Sequence, residues 1–261
     1  MARTSGTGSG TGTRDKLIRA AEEVFAAQGV DGAQLRDIVR LAGQSNPSAV
    51  QYHFGSRAGL LDAVMAGRQA RTEAALAPRL AALAPSLAAL EGRADAGPLG
   101  ERADAGPDGT AGPAPVLVLR RLLDALLAAE ATELRTDRGR RCLRISAQLS
   151  HESGVRTRTP HPTLAGTAYW RLILLIEDAL TAAGLPEPIR LERLDLALTL
   201  LGAALADRAR QYLDGAVPLT DEDVFLADLA GTTAAFLLAT APPYPARPGA
   251  PGPDPTQRNR S

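Results

Sequence analysis

Five side chains within one short stretch, Asn46, Ser48, Ala49, Gln51 and Tyr52, are of the types that read base-pair edges. Asn and Gln carboxamides pair bidentately with adenine, a small Ala meets a thymine methyl, and Ser and Tyr hydroxyls reach phosphates or bases. To do so together they must stand on one side of one rod. Successive residues about 100° apart around a helix axis give that arrangement. Val50 and Phe54 then share an anchoring face, Ser48 and Tyr52 fall opposite, Ala49 and Gln51 flank them, and Asn46 occupies the exposed N-terminal end. On an isolated helix the same residues would be an ordinary solvated face, so the surrounding elements decide.

Those elements are legible. Leu35, Ile38, Val39 and Ala42 recur at helical spacing, and Gly43 closes that helix. Asn46 is a good N-cap and Pro47 a good first residue for the next, which runs to about Phe54. A Gly-Ser break at 55–56 precedes another helix start. Upstream, Leu17, Ala21, Val24 and Phe25 form the apolar stripe of a helix ended by Gly29. The stretch QLRDIVRLAGQSNPSAVQYHFGSRAGL is thus a helix-turn-helix signature, whose ligand is duplex DNA.

The segment from Arg14 to Met65 resembles the DNA-binding domain of TetR-family transcriptional regulators. RDKLIRAAEEVFAAQGVDG is similar to that family's first helix and LRDIVRLAG to its second. AVQYHFGSRAGLLDAV is similar to its recognition helix, aromatic-His-Phe ending and fourth-helix start. The resemblance implies an all-α chain, with a helix-turn-helix domain at 14–60 and a helical effector-binding and dimerisation domain at 61–241. It implies a DNA-contact set of Arg36, Ser45, Asn46, Ser48, Ala49, Gln51, Tyr52, His53 and Arg57. His53 would meet a phosphate, and Arg57 takes the place of a phosphate-contacting Lys. Three departures stand out. Gln34 replaces the usual Ser or Thr cap, the chain from Gly43 to Phe54 is one residue longer, and Ala58 and Gly59 replace the acid after the basic residue. The implied function is a ligand-responsive repressor that binds a palindromic double-stranded operator as a homodimer through its last two long helices. The alternative is a dimeric helical small-molecule-binding or scaffolding protein without operator recognition.

Composition bounds the rest. The 261 residues can bury one large or two modest cores, and the periodicity is helical almost throughout. The 29 basic and 29 acidic residues cancel, but through Arg71 nine Lys or Arg face six Asp or Glu, so the basic excess lies at the DNA-reading end. The single Cys142 excludes an internal disulfide, fits a reducing cytoplasm, and reads as a small core residue. No apolar run suits a membrane span. An enzyme is not expected, nor a metal or cofactor: His151, Glu152 and His161 lack metal-ligand spacing, and no nucleophile motif is present.

Residues 1–13 read as a disordered tail, as do residues 242–261, with nine Gly or Pro among 20. Residues 92–115, with ten Gly or Pro among 24 and RADAGP occurring twice, read as a disordered insertion. Between them the pattern predicts helices from Ser56 to about Leu90, interrupted at Pro78 and Pro85, and over 115–134, 139–151, 162–183, 189–213 and 221–239, the last capped by Thr220. Leu194, Leu198, Leu201, Leu205, Phe225, Leu229 and Phe236 could supply a dimer interface, the subunit's own core, or both. Candidate effector-pocket residues are Gln148, His151, Tyr169, Trp170, Arg171 and Tyr212.

Overall fold

Helices supply all the regular structure among the residues that the computed structural model describes, 9–46, 48–94, 113–149 and 154–243, so the chain is all-α. The order is α1 (Ser9–Gln28), α2 (Leu35–Leu41), α3 (Ala49–Phe54), α4 (Arg57–Ala94), α5 (Pro113–Glu130), α6 (Asp137–Gln148), α7 (Ala168–Ala182), α8 (Glu187–Leu213) and α9 (Glu222–Leu238). The readings of Pro47 and His151, and most of the residues assigned to the insertion and the two tails, fall outside the described residues.

In the N-terminal unit the stripe of Leu17, Ala21, Val24 and Phe25 is buried against Ile38 and Val39 of α2, Val50 of α3, and Leu60 and Val64 of α4. This packing is what holds the short helices. α2 has seven residues and no side-chain bond at its Gln34 cap, and α3 has six; helices that short do not persist alone in water. Each buried Leu or Phe supplies roughly 1.5–3 kcal/mol. α1 begins at Ser9 and so takes in residues read as tail. Extending an existing helix adds a hydrogen bond per residue without a new nucleus, which offsets the poor propensity of Gly10 and Gly12.

Cys142 and Ile145 of α6 complete this same core. Cys142 is buried as expected, but in the N-terminal unit's core, and burial pushes its thiol up to about 11. The division at residue 60 is therefore not a packing boundary. Polar ties reinforce it: Glu22 of α1, only 3 % exposed, accepts bonds of 2.8 to 2.9 Å from the Arg138 guanidinium of α6.

The second core joins Leu76 and Leu80 of α4, Leu119, Leu122 and Leu126 of α5, Leu172 and Ile176 of α7, and the inner faces of α8 and α9. Several expectations are corrected here. α4 runs unbroken through Pro78 and Pro85. Both prolines are exposed, and the carbonyls they leave unbonded belong to the exposed Ala74 and Ala81, where water can reach them. α7 starts six residues after Pro162, at the point where the Thr167 hydroxyl accepts from Trp170 N at 3.1 Å. Asp221, not Thr220, caps α9 by accepting from Val224 N at 2.8 Å. Leu194, Leu198, Leu201, Leu205 and Leu229 are buried in the subunit's own core and unavailable to a partner, because each faces the body's other helices rather than solvent. The outward apolar positions are instead Leu196, Leu200 and Ala203 on α8 and Val224, Ala227 and Phe236 on α9.

Candidate functional site

α3 is anchored through Val50 and Phe54 and presents its opposite face to solvent. Val50 is buried and Phe54 half-buried, while Ser48, Gln51 and Tyr52 are exposed. Tyr52 is 85 % exposed, an unusual position for a large aromatic ring. His53 lies between neighbouring rings, edge-on to Tyr52 at 4.9 Å between centroids. Ser48, Gln51 and Arg57 border one shallow cleft with Leu35 and Ser56, so the structure brings these three expected site residues together. Arg36 on α2, and Ser45 and Asn46 in the turn, are exposed nearby in sequence, and Ala49 is half-buried.

The turn between α2 and α3 is built by backbone bonds. Gln44 N donates to Val39 O and Gly43 N to Arg40 O, both at 3.0 Å, with Gly43 at φ 66°. That closes α2 in the two-bond pattern that glycine favours at a helix end. α3 starts two residues later than expected, at Ala49. Asn46 still makes the cap's bond, its Oδ1 accepting from Ser48 N at 2.9 Å, but a turn rather than helix joins it to α3. At the second of the two positions after Arg57, the backbone leaves no room for an acid. A Cβ on Gly59 would stand 2.1 Å from Phe54 O, so the start of α4 abuts the end of α3 too closely for any side chain there.

Arg57 differs from the expectation. Its guanidinium turns inward, donating to Val30 O and, at 3.2 to 3.3 Å, to Ala33 O, and it lies over the Phe25 ring, 5.4 Å from the centroid. It braces the turn between α1 and α2. Arg14, outside the expected contact set, places its guanidinium 5.1 Å from the centroid of Phe54 at the end of α3. A basic residue opening the first apolar stripe was the available signal.

A cavity of about 480 Å³ lies between the N-terminal unit and the body. Val30 and Asp31 of the α1–α2 turn, Arg68 and Gln69 of α4, Glu130 of α5, and Gln148 and Tyr169 are among its lining residues. Of the expected effector-pocket residues, Gln148 and Tyr169 line this cavity. Trp170, Arg171 and Tyr212 do not line it: Trp170 packs on the body core, Arg171 is exposed, and Tyr212 lies against Arg140 and Arg208. Burial, then the nearby Glu130, drives the Tyr169 hydroxyl above its ordinary range; burial likewise raises Glu130, which Arg68 opposes. Gln148 Oε1 also accepts from Val30 N at 2.8 Å. One cavity wall is therefore the turn that carries α2.

Residues 17–64 match the family model described as bacterial regulatory proteins, tetR family. Over 68 residues, 26 % of this chain, the sequence is 46 % identical to the HTH-type transcriptional regulator SrpR of Pseudomonas putida, covering 32 % of that protein. It is also 46 % identical over 68 residues to TtgW, likewise of Pseudomonas putida and described as an uncharacterized HTH-type transcriptional regulator, covering 26 % of this chain and 50 % of that one. The match thus spans about a third of the length of one of these curated relatives and half of the other. A solved structure from Rhodococcus sp. is 18 % identical with a TM-score of 0.41, over 87 % of this chain and 99 % of that one. The family-model match lies within the N-terminal unit.

Proposed function

We propose that this chain, whose residues 17–64 match the model of bacterial regulatory proteins of the tetR family, is a member of that family and a sequence-specific transcriptional repressor, binding a palindromic operator as a homodimer and released by a small molecule. The observation that carries the reading is the exposed polar face of α3, with Ser48, Gln51 and Tyr52 outward and Val50 inward. Two copies of α3 about 34–36 Å apart match one turn of B-DNA. A small molecule in the cavity that Val30 and Asp31 help to line disturbs the Gln148 bond to Val30 N and with it the seating of α2. Operator affinity then falls by the ratio of the ligand's affinities for the two arrangements. The test is capture of sheared genomic fragments from the source organism under excess competitor DNA. A shared inverted repeat among captured fragments supports the reading, and indiscriminate capture rejects it.

The dimer is assigned to the outward faces of α8 and α9. Leu196 and Leu200 are 50 % and 41 % exposed in the single chain, so glutamate there costs the subunit little. Across a twofold interface the same charge meets its own copy. Leu196→Glu is expected to sediment as a folded monomer at concentrations where the parent is a dimer, and to lose most operator affinity. A Leu196→Glu protein that remains dimeric places the interface elsewhere.

A further inference from the structure

The acids on the cavity lining outnumber the bases that could balance them. Asp31 of the α1–α2 turn, Asp62 of α4 and Glu130 of α5 all line it, against the single guanidinium of Arg68. Arg68 is 8 % exposed and bonds Glu130 Oε2, so its charge is spent inside the wall. Glu130 is itself 6 % exposed, and its second oxygen, Oε1, accepts from no donor among the described residues. Asp31 and Asp62 are exposed, and neither carboxylate has an ion pair or a hydrogen bond among the described residues. His161, also exposed on the lining, is engaged through Nδ1 with the Thr163 hydroxyl at 2.8 Å.

The wall behind the acids is apolar. Leu61, Met65, Leu149 and Leu164 line the cavity only half-buried, so each keeps hydrocarbon surface for an occupant to cover. About 480 Å³ lies within the usual range for small-molecule sites. Charge then selects among apolar occupants. A carboxylate meets Asp31 and Asp62 with no uncommitted guanidinium on the lining, and like charges repel. A neutral molecule covers the wall but gains nothing from the acids. A metal ion leaves the wall uncovered, and no three metal ligands converge among the described residues. An organic cation gains from both, and Tyr169 adds an aromatic ring to the same lining, whose face attracts cations.

We infer that the occupant of this cavity is an organic monocation on a compact apolar body, an amine or a quaternary ammonium, with its charge toward Asp31 and Asp62 and its hydrocarbon against Leu61, Met65, Leu149 and Leu164. This deepens the ligand-responsive reading and rests on it for its regulatory meaning, though not for its binding chemistry.

The experiment is calorimetric titration of the full chain, without DNA, at neutral pH, using three compounds on one two-ring skeleton. Diphenylmethylammonium carries a cation, diphenylmethanol no charge and diphenylacetate an anion. The cation is expected to bind at least about tenfold more tightly than either of the others, as attraction to carboxylates near a protein surface allows. Added salt is expected to weaken the cation and spare the alcohol, a readout that needs no variant. In the double variant Asp31→Ser, Asp62→Asn the cation's advantage is expected to vanish, while retained diphenylmethanol binding certifies the cavity. Tightest binding by the alcohol or the anion, equal binding by all three, no binding by any, or a preference that survives salt or the double substitution overturns the inference. Because DNA is absent, the ranking is independent of the regulatory reading. An intact ranking in a chain that captures no specific DNA sinks that reading alone.

Discussion

Replacing Arg57 with alanine is expected to weaken the N-terminal unit by about 2–3 kcal/mol and to lower affinity for every duplex together. Its guanidinium donates to Val30 O and Ala33 O and lies over Phe25, so the substitution leaves two carbonyls of the α1–α2 turn without their charged donor. Hydrogen bonds to charged groups contribute about 1.5–3 kcal/mol, and the ring contact adds to that. Gln51→Ala is expected to behave oppositely. Gln51 is exposed, so its loss changes stability within about 0.5 kcal/mol, but costs roughly 1–3 kcal/mol at particular base pairs. Denaturant melts and fluorescence anisotropy on matched and substituted duplexes separate the two. Equal effects of both variants on stability, or a uniform loss from Gln51→Ala across all sequences, would contradict this division.

The second large effect lies at the joint between α1 and α6. Arg138→Ala is expected to cost about 3 kcal/mol of stability, because Glu22, 3 % exposed, loses all three of its bonds from that guanidinium. The figure stands at the lower end for a broken buried pair because Arg138 itself is about half exposed. Combining it with Glu22→Leu removes the stranded carboxylate and is expected to recover most of the loss. Thermal unfolding of the single and double variants measures this. A double variant no more stable than Arg138→Ala alone would assign the cost to lost packing.

Local patterns in the sequence carried far in some places and stopped short in others. The stripe of α1 and the Val50 and Phe54 anchors of α3 were readable because helical spacing fixes which residues share a face. Arg57 was not, because the carbonyls it reaches lie 24 and 27 residues earlier and spacing says nothing about a side chain folding back. The leucines of α8 show the same limit. Periodicity marks Leu194, Leu198, Leu201 and Leu205 as one covered face, but not whether the cover is the subunit's own helices or a partner. Pro162 resembled a first helical residue, yet the Thr167 hydroxyl made the capping bond and set the start of α7. The cavity had left a trace. Leu60, Val64, Arg68, Thr72, Leu76 and Leu80 recur every four residues and are all buried, so Arg68, the one charged member of the series, marked where α4 meets the cavity.

These particulars also tie the helix-turn-helix unit to the cavity. α6 lends Cys142 and Ile145 to the N-terminal core, and its end holds Val30 through Gln148. α4 reaches the same turn from the other side through Arg57. The turn that seats α2 is therefore gripped by two helices of the body, and a cavity lies against it. No helix among the described residues is long and apolar enough to cross a membrane.

The most direct test of α3 as a paired DNA reader is selection from random duplexes at near-physiological salt, with the full-length parent and Gln51→Ala run side by side. The parent is expected to enrich an inverted repeat with half-site centres about one helical turn, or a multiple of it, apart. Gln51→Ala is expected to enrich the same repeat with one symmetric position relaxed. No enriched motif from a folded parent, or an identical motif from both proteins, would contradict the assignment of sequence reading to this helix.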